Sequence, residues 1–330
     1  MEKNVNILTG VRPTGSLTIA NYLGAVKPLL ELQNSGEEPL LFVADLHAIT
    51  DYEPEQVKQY IRELVADYLA LGVDPEKTTI YVQSVIKGQI MTLSAYLARL
   101  TTVAELLRVP TIKDKIKHGQ SAESANALLF FYPVLMAADI LIQRAKSIPV
   151  GEDQVAHLET TRVLAERFNK KYGEIFPIPK VTQVKSLRIL SLKGDGKMSK
   201  SSPEGAIFLT DTLEEAEKKI KRAQTAGDKE MTPSLESLLL IVKMLDSTEE
   251  EQKRADDIIV RHKNGEQVMG EFKDLAIEIV KRFLTRFQTK RKEVLADPTY
   301  IDKVLEQGND FARKNADETM VMVEKAMYGN

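Results

Sequence analysis

Cysteine is absent from the 330 residues of the sequence. Its absence excludes disulfide bonds, thiolate zinc sites, iron–sulfur clusters and a cysteine nucleophile. The four histidines (His47, His118, His157 and His262) are scattered, and no two stand at metal-ligand spacing on one helix. We therefore expect no protein-bound metal and a reducing, cytoplasmic location. No tightly bound cofactor is expected either.

A large charge of one sign is also lacking. Lys and Arg number 45 and Asp and Glu number 48, which leaves a net charge of −3. Any contact with nucleic acid must then be local. The most apolar stretch, residues 127–142, is interrupted by Pro133 and Asp139 and is shorter than the roughly 20 residues of a membrane span. No signal-type apolar segment precedes Arg12, so we expect a cytoplasmic protein with no membrane partner.

The first two thirds of the chain alternate strand and helix patterns. A helix is predicted from Pro54, with Gly72 just past its end, because its apolar residues recur with a period of 3.6. Strands are predicted at residues 5–8, 40–44, 79–82, 147–150 and 187–190. This alternation predicts an α/β fold, with helices on the faces of a parallel sheet.

After about Pro203 the pattern changes to long amphipathic segments with few strand candidates. Helices are predicted at residues 212–223, 235–245, 249–262, 266–287 and 300–327. The polar, glycine-bearing stretch 193–205 joins the two parts. The second part is therefore expected to be a helical domain.

Two loops carry candidate chemistry. Residues 10–21 (GVRPTGSLTIAN) follow the first strand, where glycines and a helix N-terminus favour phosphate binding, although a generic glycine turn explains them equally well. Residues 194–203 (GDGKMSKSSP) place two lysines in a loop where they can neutralise a polyphosphate. Lysines in such a loop more often belong to a solvated linker.

The second loop resolves these alternatives through a resemblance. Residues 197–201 (KMSKS) are identical to the signature of class I aminoacyl-tRNA synthetases, and residues 18–21 (TIAN) resemble their HIGH element. Further motifs resemble tryptophanyl-tRNA synthetases: DLHAIT at 45–50, YPVLMAADIL at 132–141, PVGEDQ at 149–154 leading to His157, and RFN at 167–169. The resemblance covers nearly the whole chain.

The resemblance implies a fold, a reaction and partners. The fold is a Rossmann-like doubly wound parallel sheet at residues 1–202, with a helical insert at about 85–127, followed by a helical anticodon-binding domain at 203–330. The reaction is activation of tryptophan by ATP with Mg²⁺ and transfer of tryptophan to tRNA by a homodimer. Tyrosine as the amino acid, and a non-catalytic RNA-binding relative, are the rival hypotheses.

The resemblance also assigns site residues. Those expected to be catalytic are Lys115, Lys197 and Lys200. Those expected to bind ATP, besides the last two lysines, are Arg12, Pro13, Thr14, Ala20, Asn21, Gly151, Glu152, Asp153, Ile189, Met198, Ser199 and Ser201. Those expected to bind the amino acid are Leu8, His47, Tyr132, Met136, Asp139, Ile148 and Gln154. Because the carboxylate of the amino acid is ionised at pH 7, its attack on the α-phosphate needs no protein base.

Asp139 has two open interpretations. Tyr132, Met136 and Asp139 share one helical face, and a carboxylate in this apolar segment is costly unless it is paired. Its partner is either the indole N–H, which can only donate, or another group of the fold. Related tyrosyl enzymes commonly carry Gln where Met136 stands, and a thioether suits an indole better than a phenol.

Three features remain open from the sequence. Ala20 stands where the family usually has glycine, and Arg12 where close relatives have glutamine, and we expect these departures to affect the affinity for ATP and not the class of reaction. Arg282, Arg286 and Lys290 recur at helical spacing in the basic segment 281–292, opposite an apolar face. Contact with tRNA and a plain surface helix explain that segment equally well.

Overall fold

The computed structural model describes residues 5–110, 112, 127–150, 155–183, 187, 189–194, 196–225 and 229–329. Strands β1 (Leu8–Val11), β2 (Leu40–Val43) and β3 (Thr79–Val82) pair in parallel in the order β1-β2-β3. Strands β4 (Ser147–Val150) and β5 (Lys180–Gln183) form a second parallel pair. The alternation therefore yields parallel strands, as predicted.

One parallel bridge, between Ile7 and Ser147, connects the two groups of strands. The backbone N–H groups of Lys146 and Ser147 also donate to the carbonyls of Val5 and Asn6. The strand order is thus β3-β2-β1-β4-β5, with all strands parallel. Strands β2 and β3 are added on one side of β1, and β4 and β5 on the other, so the order reverses between β1 and β4. In a doubly wound sheet of this kind, ligands bind beside the carboxyl ends of the strands at that reversal.

The prediction of a fifth strand at residues 187–190 is wrong. Strand β5 lies earlier, at Lys180–Gln183, and within the described residues Leu190 forms an isolated antiparallel bridge with Lys197. Ile189 is buried and packs in an apolar core, which accounts for the apolar pattern there. The first predicted strand also begins later than expected, at Leu8.

Helices connect the strands in the first part of the chain. Gly72 takes a φ of +105° just past the predicted helix, a conformation that favours glycine. A π-helical turn, Tyr22–Val26, and a 3₁₀ turn, Gln83–Ile86, add to the regular helices. The latter are α1 (Ile19–Asn21), α2 (Lys27–Asn34), α3 (Asp45–Ala48), α4 (Pro54–Ala70), α5 (Lys87–Ala98), α6 (Val103–Leu106), α7 (Ala127–Ile142) and α8 (Val155–Tyr172).

The part of the chain described after the 3₁₀ turn Pro203–Gly205 contains five helices, as the periodicity predicted. Thr212 and Thr248 begin two of them through reciprocal bonds with Glu215 and Glu251, which satisfy N–H groups of the first turn. The helices are α9 (Leu213–Lys221), α10 (Pro233–Met244), α11 (Glu249–Lys263), α12 (Met269–Ala296) and α13 (Pro298–Tyr328). Among the residues described, no helix is both long and apolar enough to cross a membrane.

Alternate residues of the first three strands enter two different apolar cores. Leu41, Val43 and Ile80 pack with α4 and the C-terminal helices. Leu40 and Tyr81 face the other way and pack with α5, α7 and α8. Both faces of the sheet are thereby covered, as a parallel sheet requires.

The last helix crosses the edge of the sheet and joins both cores. Its beginning packs in the first core through Val304, and its later turns pack in the second through Ala312. At the crossing, a Cβ on Gly308 would overlap the carbonyl oxygen of Ile80 and lie 2.6 Å from its carbonyl carbon. The next residue, Asn309, accepts a bond from the Val82 N–H at 3.0 Å. The helix thus covers the exposed edge of β3.

We expect Gly308→Ala to lower the free energy of unfolding by about 1–3 kcal/mol or more, because the obstructing atoms are backbone. Gly270→Ala is the matched control, since Gly270 is also helical and nothing lies within 4 Å of its added Cβ. We expect that variant to be neutral or slightly stabilising. Urea unfolding midpoints of both variants test the prediction, and equal stability would contradict the close approach.

Candidate active site

A cavity of about 550 Å³ opens at the carboxyl ends of β1 and β4, where the strand order reverses. Its wall is mainly apolar, and helices α2 and α7, the π-helical turn and three strands contribute to it. The lining residues are Leu8, Thr9, Gly10, Arg12, Gly24, Ala25, Pro28, Leu29, Leu32, Phe42, Ala44, His47, Thr50, Asp51, Leu129, Tyr132, Met136, Ile140, Ile148, Pro149 and His157. An apolar cavity with few polar groups suits a small aromatic ligand.

Five of the residues expected to bind the amino acid line this cavity. They are Leu8, His47, Tyr132, Met136 and Ile148. The Tyr132 hydroxyl lies 2.6 Å from the His157 Nε2, so its polar end is engaged with α8. The Tyr132 ring and the Met136 thioether therefore add to the apolar surface that Leu129 and Ile140 of the same helix offer to the cavity.

Asp139 lies behind this wall, and its side chain is fully buried. The Gln83 amide donates to both carboxylate oxygens at 2.8 Å, and His47 Nε2 lies 2.9 Å from Oδ2. Burial raises the pKa of Asp139, and the bonds from His47 and Gln83 oppose that rise. Asp139 thus has partners in the fold, and of the three residues only His47 lines the cavity.

Gln83 was not predicted from the sequence. Its side chain is fully buried directly after β3, and its Oε1 accepts the Leu46 N–H at 3.0 Å. A polar residue at the carboxyl end of a buried parallel strand is the signal that can reveal it. Asp51 was also missed, and it forms an ion pair with Arg12 at the mouth of the cavity.

The TIAN element forms α1 and the turn before it. Thr18 Oγ1 accepts the Asn21 N–H at 3.2 Å, and Asn21 Oδ1 accepts the Thr18 N–H at 3.0 Å. The Ile19 N–H donates to the carbonyl of Ile207 at 2.9 Å, which ties the element to the chain that follows the KMSKS loop. Asn21 therefore stabilises its own helix start, and Ala20 is half-buried beside it.

The KMSKS loop packs back on the TIAN turn. The Met198 N–H donates to the carbonyl of Ile189 at 3.0 Å, and both side chains are buried in the core. Lys197 is exposed. Ser199 and Ser201 face each other, with their hydroxyl oxygens 2.9 Å apart.

Lys200 takes a different position from Lys197. Its ammonium donates to the carbonyl of Gly15 at 2.8 Å and to the carbonyl and hydroxyl of Thr14 at 3.2 and 3.0 Å. Burial lowers the pKa of Lys200 to about 8, and the Asp67 carboxylate opposes that shift. Asp67 is itself buried and bonded to Arg291 of α12.

Several expected site residues are not placed by the structure. Lys115, Gly151, Glu152, Asp153 and Gln154 lie outside the described residues. Of the expected ATP-binding residues, the structure therefore describes Arg12, Pro13, Thr14, Ile189 and those of the TIAN turn and the KMSKS loop.

The basic segment 281–292 lies on α12, and its main cations are paired with acids. Arg282 donates to both carboxylate oxygens of Glu251, at 2.7 and 2.8 Å. Arg286 pairs with Asp246, and Lys290 with Glu293 of its own helix. The arrangement is typical of a surface helix with ion pairs.

Comparison with known proteins identifies relatives over the full chain. The family described as "tRNA synthetases class I (W and Y)" matches residues 1–285. The chain is 39% identical to the tryptophan–tRNA ligase of Bacillus subtilis, over 97% of both proteins. It is 36% identical to the tryptophan–tRNA ligase of Chlamydia caviae, over 99% of this chain and 96% of that protein.

Solved structures agree with this relationship. Tryptophanyl-tRNA synthetase from Campylobacter jejuni, complexed with ADP and tryptophan, superimposes with a TM-score of 0.83 at 32% identity, over 98% of this chain and 99% of that one. The enzyme from Mycoplasma pneumoniae superimposes with a TM-score of 0.84 at 30% identity, over 98% and 97% of the two chains.

Proposed function

The chain belongs to the class I tryptophanyl-tRNA synthetases, and from that premise we propose the role of each of its site residues. As a tryptophan–tRNA ligase it activates L-tryptophan with ATP to tryptophanyl-adenylate and pyrophosphate. It then transfers tryptophan to the 3′ end of its tRNA. Activation depends on side chains that position the substrates and stabilise developing charge.

The observation that carries the proposal is the buried carboxylate of Asp139 next to an apolar cavity. Ionised, it has about four lone-pair positions, and the Gln83 amide and His47 occupy three of them. Among the described residues no other side chain is bonded to Asp139, and we propose that the position left, on Oδ1, accepts one more donor when the ligand binds. The indole N–H is such a donor, with no acceptor capacity of its own.

The rest of the indole binds through apolar contact. Leu8 and Ile148 of the sheet and Met136 of α7 supply the walls of the cavity. Gln154 binds the amino-acid end of the substrate, in accordance with the family motif that it matches. Tyrosine fits this site poorly because its hydroxyl would have to both donate and accept, and Met136 offers no strong partner.

Adenylate formation is an in-line attack of the tryptophan carboxylate on the α-phosphate of ATP. The attacking oxygen is ionised at neutral pH, so the protein acts through position and charge. Lys197, Lys200 and Lys115 neutralise the charge that develops on the leaving pyrophosphate. Lys200 must exchange the carbonyls of Thr14 and Gly15 for phosphate oxygens as it does so.

The remaining ATP contacts follow the family motifs. Mg²⁺ enters as part of the ATP substrate. The nucleotide is bound by Arg12, Pro13, Thr14, Ala20, Asn21, Gly151, Glu152, Asp153, Ile189, Met198, Ser199 and Ser201.

The division of the chain also follows the family. Residues 1–202, with an insert at about 85–127, perform activation, and residues 203–330 bind the anticodon region of tRNA. The active form is a homodimer in the cytoplasm. The location of the expected activating residues before Pro203 supports this division.

We expect Asp139→Ala to lower kcat/KM for tryptophan about 5- to 150-fold, which corresponds to roughly 1–3 kcal/mol for an indole donor left unpaired. The KM for ATP should change little. ATP–pyrophosphate exchange measures both. Because the chain contains no Trp, the fluorescence of free tryptophan reports binding without protein background.

Asp45→Ala is the control for damage to the fold. Asp45 is a buried carboxylate of the neighbouring helix α3 and accepts the Ser84 N–H at 2.9 Å, outside the cavity lining. We expect Asp45→Ala to change the stability of the protein more than its selectivity for tryptophan. An Asp139→Ala protein that binds tryptophan as tightly as the parent would assign Asp139 a purely structural role.

A second prediction concerns Lys200 and pH. Its pKa of about 8 lies below the usual 10.5, so the amine loses its charge as pH rises through about 8. We expect kcat/KM for ATP, which reports the free enzyme, to fall over that range. Lys200→Arg should remove this basic limb, because a guanidinium stays charged. A limb that persists in Lys200→Arg would show that another group titrates.

A further inference from the structure

The side chain of Gln83 is at the centre of the hydrogen bonds that hold the Asp139 carboxylate. The amide nitrogen of Gln83 donates to both carboxylate oxygens at 2.8 Å, while its oxygen accepts the Leu46 N–H at 3.0 Å. His47, the residue after Leu46, lies 2.9 Å from the same carboxylate. One side chain therefore connects the carboxylate to the backbone that carries the cavity-lining histidine.

The orientation of this amide is determined by its neighbours. A backbone N–H needs an acceptor and an ionised carboxylate needs donors, so the oxygen of Gln83 must face Leu46 and its nitrogen must face Asp139. The residue that follows also contacts α3, since the Ser84 N–H donates to Asp45 Oδ1 at 2.9 Å. Gln83 thus connects α3 to α7, while Ser84 attaches the start of α3 to the end of β3.

Gln83 does not line the cavity, and its side chain is fully buried. It can therefore act on a ligand only through Asp139 and His47. A buried amide with all of these bonds satisfied restricts its partners to one arrangement.

We propose that Gln83 is a positioning residue that holds the Asp139 carboxylate in the orientation that receives the indole N–H, and that it thereby contributes to the selection of tryptophan. The proposal rests on the role of Asp139 proposed above. Donors to a buried carboxylate also stabilise its ionised form, which is the form that accepts a bond from indole.

Gln83→Met tests the proposal, because methionine has a similar length and no hydrogen-bonding amide. We expect kcat/KM for tryptophan to fall about 10-fold or more, with the KM for ATP unchanged. We also expect the acid limb of kcat/KM for tryptophan to move to higher pH, because the carboxyl loses two stabilising donors. Among the described residues, the titratable groups that face Asp139 are His47 from α3 and Tyr81 from β3, and both remain in the variant.

Gln33→Met is the matched control. Gln33 is also a buried glutamine, and it bonds to the Gly72 carbonyl, the Asp74 N–H and the Thr78 hydroxyl, none of which contacts Asp139. We expect it to lower stability and to leave the pH profile for tryptophan as in the parent. If both variants change tryptophan kinetics equally, Gln83 has no specific positioning role.

Gln83→Glu keeps the test decisive if methionine prevents folding. The new carboxyl would share one proton with Asp139, because two adjacent carboxylates cannot both ionise readily. We expect kcat/KM for tryptophan to fall as pH rises and that proton is lost. A profile like that of the parent would overturn the proposal.

The double variant Asp139→Ala/Gln83→Met separates failure of this proposal from failure of the proposed role of Asp139. We expect its kcat/KM for tryptophan to be about that of Asp139→Ala alone, because Gln83 acts on the ligand mainly through that carboxylate. If Asp139→Ala itself leaves tryptophan use unchanged, the role of Asp139 is wrong. If Asp139→Ala lowers it and Gln83→Met does not, only the role of Gln83 is wrong.

Discussion

A carboxylate buried in an apolar helix is the constraint around which this site is built. Asp139 is fully buried on α7 and requires donors from elsewhere in the chain, since an unpaired charge there is costly. Gln83 at the end of β3 and His47 of α3 supply them. Three segments distant in sequence are thereby held together at the carboxyl edge of the sheet, and the cavity lies beside them. The bonds that stabilise the carboxylate also define where a further donor can bind.

The C-terminal helices support that edge from outside. Helix α13 covers β3 through the close approach at Gly308 and the bond from the Val82 N–H to Asn309, directly before Gln83. Helix α12 reaches α4 through Arg291 and the buried Asp67, whose charge acts on Lys200. The helices that we propose to bind tRNA thus pack against elements that position both the carboxylate and the lysine of the activation site.

The sequence was most informative where function depends on adjacent residues. The KMSKS loop, the TIAN turn and the YPVLMAADIL helix identify the reaction because their side chains act from short continuous segments. The amphipathic helices after Pro203 were predictable because their apolar faces repeat along the chain. Strand β5 was not, because a short edge strand has a weak alternating pattern. The Gln83 bond was also not predictable, since it joins residues 56 positions apart and only the strand order brings them together.

The most direct test of the account compares tryptophan with 3-benzothienyl-L-alanine, which replaces the indole N–H by sulfur and has nearly the same shape. The measurement is kcat/KM in ATP–pyrophosphate exchange with the unaltered protein. If the Asp139 carboxylate accepts the indole N–H in a dry site, the analogue leaves that acceptor unpaired, and tryptophan is preferred by about 10²-fold or more. Equal use of the two amino acids would contradict the account, because the cavity would then select tryptophan by shape alone.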